Sequence, residues 1–319
     1  MAGRASRLAF LPTMRRLMKK RPCAFGSLTI LALTGVYLCG VVAAAGQPAQ
    51  GKRAVVQSAL DAALARTGVV AVVLEEDGGM LAAEHAAEAA NLQRAPGSVL
   101  KPLFLAAALR EGKVRAETTV VCHGNLRLAG RDLACTHPRE ENVLNAERAL
   151  AWSCNEWFAQ MALRFTPEQA AAVLRGYGFG SRAGLATEES AGVVREARNA
   201  AETQLMVLGL DDVEVTPAQL AEAYSKLARE WSAEPVVERG LRGSVEYGMA
   251  HNAATAGMAI AGKTGTASDA GEAWTHGWFA GIAEKKGERV AAVFYVPHGS
   301  GADAALMAHR FFALWGRAE

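Results

Sequence analysis

Between Pro22 and Gly51 the chain carries no charged side chain, and Arg4, Arg7, Arg15, Arg16, Lys19, Lys20 and Arg21 precede that run with no acid among them. Residues 25–45 are largely apolar, 21 in all, and a helix needs about 20 to cross a bilayer. Positive charge on the near side predicts an N-terminus in the cytoplasm and the rest of the chain outside. A cleavable signal peptide has an apolar core of about 7–15 residues, shorter than this one, although Ala43-Ala44-Ala45 supplies small residues of the kind a signal peptidase accepts. The spacing therefore predicts a basic cytoplasmic tail over 1–24, a retained anchor over 25–46, a linker with an amphipathic helix over 47–66, and a folded domain over 67–319. The pattern predicts a single-pass protein of the cytoplasmic membrane with its main domain on the outer side.

The net charge of +2 hides an asymmetry: taking the seven basic residues of the tail from the 34 in the chain leaves 27 against 32 acids, a net of −5. A body of that sign does not bind polyanions, and no nucleic-acid partner is expected. Cys122 and Cys135 lie in the exported part, where a disulfide can form. The stretch also reads Cys122-His123 and Cys135-Thr136-His137, so a disulfide, free thiols and a metal site all stay open. The spacing matches no zinc signature, and no metal or cofactor is expected. Cys154 reads as a small buried residue.

Helical periodicity runs over 54–66, after a linker at 47–51. The β-branched run at 69–75, the acidic-glycine turn at 76–79 and the residues at 80–83 spell a hairpin. Residues 100–109 are an apolar helix too short to span a membrane. Thr166-Pro167-Glu168-Gln169 and Thr216-Pro217-Ala218-Gln219 carry the same helix start, with a capping threonine, a proline in the first turn and a glutamine able to reach back. Strands are expected at 258–266, 277–283 and 289–297, and a last helix at 302–315. Strands at both ends with helices between predict an α/β fold: a central antiparallel sheet flanked by helices, with an inserted helical lobe.

Three short motifs stand in order: Ser98-Val99-Leu100-Lys101, Ser153-Cys154-Asn155 and Lys263-Thr264-Gly265-Thr266, the serines 55 positions apart and Lys263 a further 110 along. Each alone is weak; the ordered set is specific. Residues three apart on a helix share a face, so Ser98 and Lys101 can meet. A serine hydroxyl needs a base to become a nucleophile, and a lysine serves only when burial or a second cation strips its proton. Lys263 is that second cation, Ser153 a hydroxyl relay between the lysines, and Asn155 a donor and acceptor for an amide substrate. Gly262 and Gly265 leave a strand bare enough for a peptide to lie against it. Backbone N–H groups at Ser98 and Thr266 are candidates for an oxyanion hole. No Gly-x-Ser-x-Gly elbow occurs. His251, His276, His298 and His309 fall in no metal motif. Trp274, Trp278 and Phe279 either line the groove or pack.

At these residues the chain resembles the penicillin-binding transpeptidase family. Pro96-Gly97-Ser98-Val99-Leu100-Lys101-Pro102 is similar to the family's nucleophile segment, and Gly178-Phe179-Gly180 with Gly184-Leu185 to its glycine-rich stretch. Val215-Thr216-Pro217-Ala218-Gln219-Leu220-Ala221 is similar to a family helix start, and the run from Gly262 to Ser268 with Trp278-Phe279-Ala280-Gly281 to its third-motif hairpin. The likeness runs from about residue 69 to 315. It implies a serine D,D-transpeptidase acting on the D-Ala-D-Ala stem peptides of peptidoglycan and acylated by β-lactams, with a separate glycosyltransferase as a partner. The roles it implies are Ser98 as nucleophile, Lys101 as base, Ser153 as relay, Asn155 and Thr266 as substrate positioners, and Lys263, Thr264 and Gly265 around the terminal carboxylate. A D,D-carboxypeptidase, a serine β-lactamase and a non-catalytic membrane-bound β-lactam sensor are the alternatives on the same scaffold. Glu156, directly after the second motif, departs from the smaller, uncharged residue expected there.

Overall fold

The computed structural model describes residues 47–269 and 271–318. The basic tail and the apolar segment read as a membrane span lie outside the described residues, and among those described no helix is long and apolar enough to cross a membrane. Residues 46–319 form one compact unit.

Helix α1 (Gln47–Leu64) opens it. It begins seven residues earlier than the periodicity alone predicts and takes in the expected linker, since Pro48 sits in a first turn, where a missing N–H costs nothing. The hairpin β1 (Val70–Glu75) and β2 (Met80–Glu84) follows as expected, then the short α2 (Ala86–Asn91). A 3₁₀ turn over Gly97–Leu100 runs directly into α3 (Lys101–Arg110). The next stretch is sparse in regular structure. The two-residue strands β3 (Val120–Val121), β4 (Arg127–Leu128), β5 (Arg131–Asp132) and β6 (Val143–Leu144) pair as β3 with β6 and β4 with β5. The inserted lobe continues through α4 (Ala146–Ala151), α5 (Asn155–Ala162), α6 (Pro167–Gly176), β7 (Val193–Val194), α7 (Ala200–Val207) and β8 (Val213–Glu214). Helices α8 (Pro217–Glu230) and α9 (Pro235–Glu246) lead to the long strands β9 (Ala259–Ala267), β10 (His276–Lys285) and β11 (Glu288–Val296), and α10 (Gly301–Arg317) closes the unit. Both expected capping boxes are present: Thr166 with Gln169 starts α6, and Thr216 with Gln219 starts α8.

The five long strands form one antiparallel sheet in the order β2-β1-β11-β10-β9. The first hairpin joins the C-terminal strands through β1, with Val72 opposite Val293, so strands from both chain ends share one sheet, as their order predicts. Because side chains alternate faces along a strand, the sheet sorts its residues into two cores. Val70, Val72, Leu74, Trp278, Ala280, Val293 and Tyr295 face α8 and the helical lobe. Ala71, Val73, Phe279, Ala292 and Phe294 face α1 and α10, where Leu60, Phe311, Phe312 and Trp315 complete the layer. Trp278 and Phe279 therefore pack on opposite sides, both fully buried, and do not line a groove. Trp274 is half exposed. Strand β9 is the sheet's edge, and it carries the third motif.

Candidate active site

The nucleophile turn is made by local geometry. Ser98 lies in the 3₁₀ turn and Lys101 is the first residue of α3, its backbone N–H donating to the Ser98 carbonyl. A 3₁₀ turn has three residues per turn, so side chains at i and i+3 eclipse. This spacing puts residues 98 and 101 on one side of the turn, while the Lys101 ammonium takes its bonds from the second motif. Pro102 falls in the first turn of α3, where proline is tolerated.

Lys101 is completely buried. Its Nζ donates to the Ser153 carbonyl at 2.9 Å, Ser153 Oγ at 3.2 Å and Asn155 Oδ1 at 2.7 Å, and it stands over the Phe158 ring at 5.3 Å. The second motif can present those acceptors because it is a turn between two helices. α4 ends at Ala151, the N–H groups of Ser153 and Cys154 return to the Leu150 and Ala149 carbonyls, and α5 starts at Asn155. Ser153 sits at φ 55, in the left-handed region where a helix end usually places glycine. Strain of this kind in a non-glycine residue gathers at functional sites.

Burial pushes Lys101 down to about 8, with the charges of Cys154 and Cys135 opposing it. Lys263, also completely buried, is pushed well below the usual lysine range by burial and then by the nearby Lys101. Both lysines are thus held below their ordinary range. Two ammonium groups sharing one dry site each make the other harder to charge. Lys263 Nζ donates to the Thr264 carbonyl at 2.9 Å, so of the expected Ser153 bridge between two lysines the structure shows the Lys101 half. Asn155 is also committed: beyond Lys101, its Nδ2 donates to the carbonyls of Leu133 and Ala134 at 3.3 and 3.4 Å. In the free protein it orients the lysine and pins the 133–134 segment.

The glycines of β9 work differently from the expectation. A Cβ on Gly262 would stand 2.5 Å from the Phe279 ring, and one on Gly265 would stand 2.5 Å from the Pro96 carbonyl oxygen and 3.3 Å from the Ser98 nitrogen. They clear space for the protein's own core and nucleophile turn, not for a peptide. Gly97, at φ +60, lies against Thr266: a Cβ there would stand 3.2 Å from the Thr266 nitrogen. The Ser98 and Thr266 amides are thereby brought to the same contact between turn and strand. Thr266 is exposed and its Oγ1 accepts from the Gly301 N–H at 2.9 Å, while Thr264 Oγ1 donates to the Met249 carbonyl at 3.3 Å.

Five residues outside the motifs hold the turn in place. The Ala95 N–H donates to Asp269 at 3.1 Å, and the Ala95 carbonyl accepts from His276 Nε2 at 2.8 Å and Trp278 Nε1 at 3.0 Å. The buried Tyr224 hydroxyl donates to the Val99 carbonyl at 2.9 Å, and the Gly97 N–H to the Gly209 carbonyl at 2.9 Å. Only one signal was available in the sequence: His276 and Trp278 are two apart on a strand and so share a face.

Behind the second motif, the expected alternatives for Cys122 and Cys135 narrow. Cys122, Cys135 and Cys154 are free thiols, and Cys135 Sγ lies 3.8 Å from Cys154 Sγ. The bond with Cys154 holds the Cys135 thiol down at about 5. Burial lifts Cys122 to about 11, while bonding to Cys135 and burial lift Cys154 far above its ordinary range. Glu156 explains its own presence: its carboxylate accepts from the His123 backbone N–H at 2.7 Å and pairs with the His123 ring at 2.8 Å, clamping the loop that carries Cys122 to the start of α5.

Comparison with known proteins gives the family and the fold. The chain is 25% identical to penicillin-binding protein 3 of Bacillus subtilis across 60% of this chain, and that match spans about a third of the relative's length (34%). The transpeptidase domain of Burkholderia pseudomallei penicillin-binding protein 3 superposes with a TM-score of 0.74 at 20% identity, covering 83% of this chain and 93% of that one. Pseudomonas aeruginosa PBP2, solved with WCK 5153, superposes with a TM-score of 0.72 at 20% identity, covering 82% and 74%. The model of the penicillin binding protein transpeptidase domain matches residues 41–313, most of the chain, and the chain belongs to that family.

Proposed function

We propose that the chain is a serine D,D-transpeptidase of peptidoglycan, held at the outer face of the cytoplasmic membrane by residues 25–46. The observation that carries the chemistry is the buried Lys101, bonded to the Ser153 and Asn155 side chains of the second motif and joined to Ser98 through the backbone of one 3₁₀ turn. A lysine brought down to about 8 is neutral in a useful fraction of molecules near neutral pH, as a general base must be. Ser98 Oγ attacks the carbonyl of the D-Ala-D-Ala peptide bond and its proton passes to Lys101. The tetrahedral oxyanion is met by the Ser98 and Thr266 N–H groups. The C–N bond then breaks, Ser153 relays the proton to the departing D-Ala amine, and a Ser98 ester remains. The amine of a second stem peptide attacks that ester and gives its proton to Lys101, which passes it to Ser98 Oγ as the ester C–O bond breaks, leaving the cross-linked amide and the free serine. Lys263, as an ammonium favoured by the substrate's terminal carboxylate, holds that group with Thr264 along the β9 edge. A β-lactam enters the same path, but its amide opens without releasing a leaving group, so the ester persists.

The test is incubation of the purified full chain with a fluorescent penicillin, followed by mass spectrometry of the labelled peptide. One adduct on the peptide containing Ser98 is expected. An adduct on Ser153 or Cys154, or rapid turnover of the drug, overturns the reading. With stem peptides as donor and acceptor, D-Ala release with no cross-linked product would make the enzyme a carboxypeptidase instead. Mature protein from membranes is expected to retain residues 1–46, and a reporter fused after Glu319 to be active outside the cytoplasm. An N-terminus at Gly46 or Gln47 would replace the anchor by a signal peptide.

A further inference from the structure

Four donor groups that the acyl-transfer reading leaves unused converge beneath the second motif. One ligand atom each from Cys122, Cys135, His137 and Cys154 lies within 4.8 Å of all the others. His137 points to what they hold. It is nine-tenths buried, with 9% of its surface exposed, and its Nε2 has no hydrogen-bond partner. Its Nδ1 faces the Pro138 carbonyl oxygen at 3.1 Å. A carbonyl only accepts, so the proton of the neutral ring sits on Nδ1 and Nε2 is a bare lone pair in a dry site. A backbone carbonyl on the far nitrogen is also the partner that orients metal-bound histidines.

The sulfurs agree with this. A disulfide would bring Cys135 and Cys154 to about 2.05 Å, whereas they stand 3.8 Å apart. Two thiolates each about 2.3 Å from a tetrahedral zinc are separated by about 3.8 Å. Backbone N–H groups also point at the sulfurs: Gly124 donates to Cys122 Sγ at 3.4 Å and Trp157 to Cys154 Sγ at 3.5 Å. Such bonds favour the thiolate, the form that binds metal. Three soft thiolates and one imidazole, with no oxygen donor, suit zinc and do not suit magnesium or calcium.

We propose that Cys122, Cys135, His137 and Cys154 form a closed tetrahedral zinc site that staples the segment between β3 and β6 to the turn carrying Ser153 and Asn155. That segment holds nothing longer than two-residue strands, and it supplies the two carbonyls that Asn155 binds. Cys154 is both a zinc ligand and the residue between Ser153 and Asn155, so the metal fixes the acceptors of Lys101. The staple reaches the acylation site but does not depend on the transpeptidase reading.

The full chain, purified from membranes in detergent under reducing conditions without chelator, is expected to carry about one zinc per molecule by elemental mass spectrometry. A strong chelator is expected to remove the metal, lower the melting temperature and slow penicillin acylation; zinc restores both and magnesium neither. Cobalt substitution is expected to give thiolate-to-cobalt charge-transfer bands and intense tetrahedral visible bands. His137→Ala and Cys135→Ser are expected to weaken zinc binding by more than about tenfold, and His137→Cys to keep it, so a folding failure in one variant leaves the others to read. Metal-free chain with full acylation, a disulfide among the three cysteines as the main form, or wild-type zinc content in Cys135→Ser would each overturn the site. Bound zinc whose removal changes neither melting nor acylation would overturn the stapling role. A zinc-loaded chain that no β-lactam acylates would instead count against the transpeptidase reading and leave the site standing.

Discussion

Lys101→Arg is expected to lower the second-order rate of β-lactam acylation by about 10²–10⁴-fold, the usual contribution of a general base, and so to approach Ser98→Ala, which leaves no hydroxyl to acylate. Arginine stays protonated at any ordinary pH, so it keeps the charge at this position and removes only the ability to accept a proton. Lys101→Met, similar in length and uncharged, reads the same loss without burying a larger cation. The pH dependence separates a base from a merely structural lysine. With its proton affinity brought down to about 8 by burial, the neutral fraction of Lys101 rises with pH until that point and levels off above it. Wild-type acylation is expected to climb by up to about tenfold per pH unit below the turning point, while the residual rate of Lys101→Arg stays flat. Lys263→Arg retains the charge that a substrate carboxylate needs and is expected to keep a measurable fraction of activity, with weaker binding because the planar fork is shaped differently from an ammonium. Lys101→Arg acylating as fast as Lys263→Arg, or a flat wild-type profile over the same range, would sink the assignment of Lys101 as base.

The two lysines also show how far local sequence carries. Both are buried and both are pushed down, which follows from two ammonium groups sharing one dry site. Their hydrogen-bond surroundings differ. Lys101 has three oxygen acceptors and two thiols close by, and Lys263 has one carbonyl. Titration of such a pair belongs to the pair, and a substrate carboxylate beside Lys263 would raise its proton affinity. The free enzyme therefore need not carry the charge pattern of the substrate complex.

Features set by neighbours along the chain were legible. Ser98 and Lys101 meet because of a three-residue spacing. The capping boxes of α6 and α8 need only four consecutive residues, and the two-faced sheet follows from alternation within each strand. Features set by close approach of distant segments were not. Cys122, Cys135, His137 and Cys154 come from three separate segments, so their spacing resembles no compact zinc motif, and the orphaned Nε2 of His137 is visible only in three dimensions. The clamp on Ala95 draws on Asp269, His276 and Trp278, more than 170 positions away. Gly262 and Gly265 could be read as bare strand, but what fills the space beside them could not. The early start of α1 was missed because its first turn, with Gln47 and Pro48, has the composition of a linker.

Gly209→Ala tests whether the nucleophile turn is held from behind by close backbone packing. Gly209 lies just after α7, in no motif, at φ +75, and a Cβ there would stand 2.1 Å from the Gly97 carbonyl oxygen. The obstacle is backbone, which cannot rotate aside as a side chain does, and it belongs to the residue next to Ser98. The left-handed conformation costs a non-glycine residue about 1–2 kcal/mol, and overpacking adds about 1–3 kcal/mol. Together these lower the melting temperature by roughly 4–15 °C in a domain of this size. The hydrogen bond from Gly97 N–H to the Gly209 carbonyl, 2.9 Å long, lengthens as the two backbones separate. The turn then swings towards Thr266, where Gly97 has no slack, because a Cβ on Gly97 would already stand 3.0 Å from the Thr266 carbonyl oxygen. A displacement of about 1 Å at a reacting group typically costs about 10²-fold in rate, so acylation is expected to fall by that order even in molecules that remain folded. Gly257→Ala is the matched control: its φ of +76 carries the same backbone strain, but nothing lies within 4 Å of the added carbon. It is expected to lose about 1–2 kcal/mol of stability and no acylation rate. Acylation rates and melting temperatures for the two variants separate strain from contact, and equal effects in both would show that the packing of Gly209 on Gly97 does not position Ser98.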